Sequence, residues 1–356
     1  MNKINKSEMG SLSFFLIRAS FIGITFNSLI NISKQDSYIS MIIAFLIGFI
    51  PFILIYYIFN YEPNLSLPQK NLKLFGNILG TIINIILIWF TFFITLIIFS
   101  NLVTFIFSQY LNKTPTLIIS IVFIFAIVYV LIHDIKTICR TAMILFFFTT
   151  FLFLLSLIGL STQISIDNFK PFLESSYISL FKGSYSFITY NILPLYFLLI
   201  IPKNDIDNKH FFKHITLGYI FASISLFFVL LTTIGIFGIK LCQLYEYPEF
   251  QVLKYVSLIG VSARIDGILI IQWIFDLLIF IIMGMYFILE CTKTMFKVNK
   301  HIYAYILGIL LILLNEFVIN DLIINKLSVI PHIISIFISG LLIIMFINIK
   351  FKRYAH

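Results

Sequence analysis

Two charges sit in stretches whose other side chains belong in hydrocarbon. Asp276 lies in Trp273-Ile274-Phe275-Asp276-Leu277-Leu278, and Arg18 lies inside an apolar run that begins near residue 10. A carboxylate so placed needs a cation, a protein partner or water, and otherwise takes up a proton. Asp276 therefore reads either as a proton- or cation-responsive site or as half of a structural ion pair. Three readings of Arg18 stand open: a guanidinium reaching the interface along its own stem, a partner for Asp276, or the lining of a vestibule. Two further stretches offer backbone chemistry. Gly23-Ile24-Thr25-Phe26-Asn27 joins a flexible backbone position to side chains that can replace lost helical hydrogen bonds. In Thr189-Tyr190-Asn191-Ile192-Leu193-Pro194 the proline has no amide donor and its ring clashes with the carbonyl of Tyr190, so a helix kinks or opens there. Freed amides suit a carboxylate; freed carbonyls suit a cation or an ammonium group.

The elements that hold these residues follow from composition. Of 356 residues 60% are apolar and only 11% charged, with a mean hydropathy of +1.06, too few polar side chains to coat a soluble globule. The apolar runs are continuous and about 20 residues long, which is the length a helix needs to cross a bilayer and excludes the alternating strands of a barrel. The predicted spans are 10–31, 38–59, 79–108, 115–132, 138–160, 177–201, 214–238, 267–289, 301–319 and 329–349. Asp276 then lies about 15 Å into the eighth span, near the midplane. Gly23 and Pro194 are also near mid-depth. The first predicted span reads as a retained helix, not a cleaved signal. Fifteen of the 24 Lys and Arg residues fall on one side of this arrangement and eight on the other, Arg18 apart, which puts both termini in the cytoplasm. The net charge of +9 is dealt out loop by loop, so nucleic acid is not an expected partner.

The chain reads as one domain over 1–356, with no linker of biased composition. Within 239–266, Tyr245, Glu246, Tyr247, Pro248 and Glu249 mark a short surface helix, either a lid or interfacial packing. Cys139, Cys242 and Cys291 are scattered without CxxC spacing, and His210 and His214 lack an acidic third ligand, so neither a disulfide framework nor a metal site is expected. No phosphate-cradling or hydrolytic motif occurs, no cofactor is implied and an enzyme is not expected. Interrupted helices leading each half of a ten-span chain point instead to an inverted-repeat transporter fold with a ligand site between them.

The order of punctuation resembles the spore-germination permease family, the B subunits of endospore germinant receptors (GerAB-type), related to the amino acid/polyamine/organocation transporters. Its markers are Gln35-Asp36-Ser37-Tyr38-Ile39-Ser40 opening span 2, Thr114-Pro115 opening span 4 and Ile138-Cys139-Arg140 opening span 5. Lys182-Gly183 before span 6, Phe237-Gly238 closing span 7, Pro248 and Trp273 complete the set. The resemblance implies an all-α integral membrane protein of ten transmembrane helices in a five-plus-five inverted repeat (LeuT-like), its halves about 10–160 and 177–349. Helices 1 and 6 would be interrupted around a small-molecule germinant, often an amino acid, with helices 3 and 8 completing the pocket. It further implies a receptor A subunit and a C-subunit lipoprotein as partners in the spore inner membrane. Two departures stand out. Span 1 carries Ile22-Gly23-Ile24-Thr25 with no proline, and the family's acid in span 6 is neutral in Phe187-Ile188-Thr189-Tyr190-Asn191. Asp276 is the expected substitute. The expected binding residues are Gly23, Thr25, Asn27, Thr95, Thr189, Tyr190, Asn191 and Asp276, with Arg18 and Asp276 as an ion site or charge pair. A genuine proton- or cation-coupled transporter and a structural or channel-forming subunit with a vestigial pocket are the alternatives.

Overall fold

The computed structural model describes residues 3–207, 210–255, 266–296, 299–318 and 329–354. Over these residues the protein is all-helical, because hydrocarbon offers no partner to backbone N–H and C=O groups and a helix satisfies them internally. Among the described residues eight helical stretches are long and apolar enough to cross a membrane. The first, Lys6–Asn60, contains three pieces: α1 (Lys6–Arg18), α2 (Phe26–Ser33) and α3 (Ser37–Asn60). Lys34, at φ 47°, turns the chain between α2 and α3, so two expected spans share this stretch. Next come α4 (Leu67–Gln109), the shorter apolar α5 (Thr116–Leu131) and α6 (Ile135–Leu160). Then follow α7 (Tyr177–Phe187), α8 (Phe211–Leu244), the short α9 (Pro248–Gln251) and α10 (Asp266–Leu269). Last are α11 (Ile271–Phe296), α12 (Lys300–Val318) and α13 (Val329–Tyr354). Of the basic residues that set the expected orientation, Lys209, Arg264, Lys297 and Lys326 lie outside the described residues, as do residues 256–265 of the expected surface segment and residue 319 of the ninth span.

Two helices are longer than a bilayer requires, and each bends at a glycine. At Gly76 (φ 79°) the first turns of α4 fold back on the rest. Asn71 Nδ2 donates to Asn84 Oδ1 at 2.7 Å and Asn84 Nδ2 to the Pro68 carbonyl at 3.1 Å, which pins the fold-back. Gly238 (φ 67°) sets off the last residues of α8 in the same way. Lys70, 1% exposed, reaches back from α4 to the end of α3, where its Nζ donates to the Ile58 carbonyl at 2.8 Å, an acceptor it shares with the Tyr61 amide at 3.3 Å.

The core is the packing of α1 between α8, α6 and α11. The crossing of α1 and α8 is tight: a β-carbon at Gly218 would stand 2.1 Å from Ser13 Oγ, and Ser13 donates to the Ile215 carbonyl at 3.0 Å. Small residues at such a crossing let two backbones approach within a membrane, where apolar burial drives little association. On one face, Ile4 bridges to Ile206, with Ile4 N donating to Asp205 O at 2.9 Å. On the other, both oxygens of fully buried Asp36 accept from the amides of Leu173 and Ser175, at 2.9 and 2.8 Å, clipping the loop ahead of α7.

Candidate functional site

The first helix is broken. It runs regularly to Arg18, widens over Phe21–Thr25, and resumes at Phe26, with Ile22 at ψ 124° and Gly23 at φ 67°, ψ −17°. That left-handed conformation is one only glycine adopts without strain. Space enforces the same choice, since a β-carbon at residue 23 would lie 2.6 Å from the Tyr247 ring and 2.8 Å from Asn101 Oδ1. Three polar groups that the break releases have side-chain partners. Ile22 O accepts from Asn101 Nδ2 at 2.9 Å, and Gly23 O from Asn27 Nδ2 at 3.0 Å. The Gly23 amide donates to Glu249 Oε1 at 2.6 Å.

The interruption expected in the sixth span takes the form of a change in hydrogen-bond register. A π turn over Ile188–Ile192 hands α7 on to 3₁₀ turns over Leu193–Ile200. The Tyr190 carbonyl, which Pro194 cannot serve, accepts instead from Ser20 Oγ at 2.6 Å. Asn191 Nδ2 donates to the Ile17 carbonyl at 2.6 Å, while Thr25 Oγ1 shares its proton between Asn191 Oδ1 (2.7 Å) and Ser20 O (2.8 Å). Thr25 and Asn191, expected as ligand groups, are fully buried and are spent joining the two irregular segments to each other. Thr189 donates to Ser335 of α13 at 3.1 Å, and Tyr190 is 2% exposed with its ring 5.3 Å from that of His332. Neither faces the cavity described next.

That cavity, of about 140 Å³, lies beside the break in the first helix. Its floor is one face of α4: Ile97, Ser100, Asn101 and Thr104, the i, i+3, i+4, i+7 stripe of a helix. The hydroxyls of Ser100 and Thr104 are buried and have no hydrogen-bond partner among the described residues. Thr95, the expected residue of the third span, instead meets α11, where a β-carbon on Gly284 would stand 2.2 Å from its Oγ1. Gly23 and Ile24 form one wall, and Glu246 and Tyr247 from the segment after α8 form the roof. Asn27, also expected at the site, ties that roof down, its Nδ2 donating to the Glu246 carbonyl at 2.8 Å.

The acid at the break is Glu249, not Asp276. Glu249 is wholly buried, its Oε2 has no partner among the described residues, and burial pushes its carboxyl up to about 8 against the downward pull of the Gly23 amide. Asp276 is absent from the cavity lining and is matched inside the protein: Arg18 Nε donates to its Oδ2 at 2.9 Å, with each residue 1% exposed. Ser225 Oγ lies 3.4 Å from Arg18 Nη1, and the guanidinium sits 4.8 Å from the Phe14 ring centroid. Sequence reading passed over Glu249 because it belongs to a polar loop far along the chain. The stripe from Ile97 to Thr104 carried a readable signal, three polar residues on one face of an apolar helix. Among the described residues no three His, Cys, Asp or Glu side chains gather as a metal site would require.

Comparison with known proteins fits this architecture. The family profile described as "Spore germination protein" matches residues 8–324. The Bacillus subtilis (strain 168) protein YfkT, whose name assigns it to spore germination, is 28% identical over 179 residues, covering 49% of this chain and 47% of that relative. The chain thus matches about half the length of that curated relative. In fold it resembles the Eremococcus coleocola manganese transporter crystallised with an aromatic bis-isothiourea compound: TM-score 0.55 at 12% identity, covering 97% of this chain and 76% of the transporter. A mutant of the same transporter gives 0.56 at 13% identity with the same coverage. At these identities the likeness speaks for the fold, a transporter-like helical membrane architecture.

Proposed function

We propose that this chain, which belongs to the spore germination protein family, binds a small nutrient germinant at the break in its first helix and passes the signal to partner subunits. It is an integral membrane protein of a permease-like family, not an enzyme family. The single observation that carries the reading is the cavity beside Gly23, with two buried hydroxyls, of Ser100 and Thr104, left without partners. Buried polar groups are nearly always satisfied, so a pair left open beside irregular backbone suits a guest that completes them. A cavity of comparable size engineered into another protein holds benzene, so a small amino acid suits the space. The germinant acts by binding one conformation of the broken helix better than another.

In this reading the chain makes ten crossings as a five-plus-five repeat, both termini face the cytoplasm, and the membrane is the inner membrane of the spore. A receptor A subunit and a lipoprotein are its partners. Titration calorimetry of the protein in nanodiscs against L-amino acids tests the reading. Saturable binding of at least one is expected, weakened about tenfold by Ser100→Ala with Thr104→Val, the worth of roughly one or two hydrogen bonds. No saturable binding, or binding indifferent to that pair, overturns it.

The transporter-like fold favours a second reading, coupled amino acid transport through the same cavity. Uptake of labelled amino acid by proteoliposomes that collapses with a proton ionophore would select it; binding without accumulation selects the receptor.

A further inference from the structure

We propose that Glu249 is a tethered stand-in for the ligand: its carboxyl oxygen holds the place on the Gly23 amide that the carboxylate of a small amino acid takes, and binding expels the 245–251 segment. The inference rests on the binding reading above and adds to it the chemical class of the ligand and the moving part.

The released groups of the break are satisfied in two different ways. The carbonyls of Ile22 and Gly23 are held by Asn101 and Asn27, neutral amides on the helices that frame the break. The amide of Gly23 is held by an acid 226 positions away in sequence, on a short segment that packs as a roof. That amide lies just ahead of the first turn of α2, where backbone dipoles favour an anion. No Lys or Arg lines the cavity. A ligand carboxylate entering there has the Gly23 amide as its natural seat, and Glu249 is already in it.

Glu249 is also held at a cost. It is wholly buried, and one oxygen is left without a partner among the described residues, so in either protonation state a polar atom that water would satisfy is left unmet. Release to solvent relieves that deficit. The attachments of the segment are non-covalent and spread over several elements: the Asn27 bond to the Glu246 carbonyl, a Gln251 Nε2 bond to Gln109 Oε1 at 3.0 Å, and ring contacts of Phe105 with Tyr247 and Phe250 at 5.0 and 5.2 Å, of Tyr110 with Phe250 and of Phe237 with Tyr245. The cavity with its open Ser100 and Thr104 hydroxyls then receives the rest of the ligand.

The test uses the full chain in nanodiscs, with L-alanine and L-valine as probes beside alaninamide and valinamide, which keep the ammonium and lose the carboxylate. Glu249→Ala vacates the seat, so the acids bind about tenfold tighter than to the unaltered protein, as when a fraction of about one tenth is competent before the change. The amides bind neither protein. Glu249→Gln retains an acceptor for the Gly23 amide and serves as the folded control, with no gain in affinity. Spin labels on Lys113→Cys and Lys254→Cys report the segment directly, the distance between them broadening in Glu249→Ala without ligand and in the unaltered protein only with an acid probe. Acids that bind the unaltered protein but gain nothing in Glu249→Ala, or amides that bind as well as acids, overturn the stand-in role while leaving the binding site intact. Failure of every probe with all three proteins overturns both.

Discussion

Ser20 and Tyr190 meet where both irregular helices need a partner: the Ser20 hydroxyl lies 2.6 Å from the carbonyl that Pro194 deprives of its helical donor. The first helix thereby repairs a defect in the sixth span, and the two segments move as one unit or not at all. Ser20→Ala removes that hydrogen bond, which costs about 0.5–1.5 kcal/mol. Thermal unfolding in detergent checks this; an unchanged midpoint would show that the carbonyl has another donor.

The Arg18–Asp276 pair is a structural charge match by its geometry, so breaking one side hurts more than removing both. Asp276→Asn strands a buried guanidinium, at about 3–5 kcal/mol, and is expected to lower both yield and melting temperature. Arg18→Met combined with Asp276→Leu should recover most of that loss. If the double variant is no more stable than Asp276→Asn, the pair does more than cancel charge.

Gly23→Ala strains a left-handed position by about 1–2 kcal/mol and drives a methyl group at the Tyr247 ring. Amino acid binding should disappear while the helical circular dichroism signal persists. Retained binding would mean that the break can close without loss of the site.

Glu249 gives the protein a pH response whose sign can be worked out. With the segment seated its carboxyl lies at about 8, against the ordinary 4.5 when released. Below 4.5 both states are protonated and pH has no effect. From about 4.5 to 8 the released acid ionises while the seated one keeps its proton, so rising pH favours release; above 8 the effect levels off. Cys242 and Tyr247 lie within electrostatic reach of the carboxyl, and burial raises their thiol and phenol above this window. The affinity for L-alanine is therefore expected to improve between pH 5 and 8 and to stay flat above, and Glu249→Gln should abolish the slope. The same slope in that variant would assign the response to another group.

Much of the scaffold was legible in the sequence. Continuous apolar runs gave the helices, and the bends at Gly76 and Gly238 stand where the third span was expected to begin and the seventh to end. Gly23 was readable because residue type and depth both marked it. Whether a polar side chain is already satisfied was not readable: Thr25 and Asn191 look like ligand groups until their mutual bond is seen, and the pairing of Asp276 with Arg18, one of the open readings, is chosen only by the fold. Glu249 was read as part of a surface segment, a lid or interfacial packing, and not as the acid at the break. Its polar loop makes an acid unremarkable in sequence, and only the fold carries it under the break.

Arg18 and Asp276 are 258 positions apart, which sets a condition on how the protein is made. At translation rates of about 5–20 residues per second the arginine is synthesised roughly 13 to 50 s before its counter-charge. A lone arginine mid-helix disfavours insertion by about 2.5–3.5 kcal/mol. The apolar residues around it offset that cost, but the guanidinium stays without its carboxylate until α11 is made, so the charge match closes late although its first member is translated early.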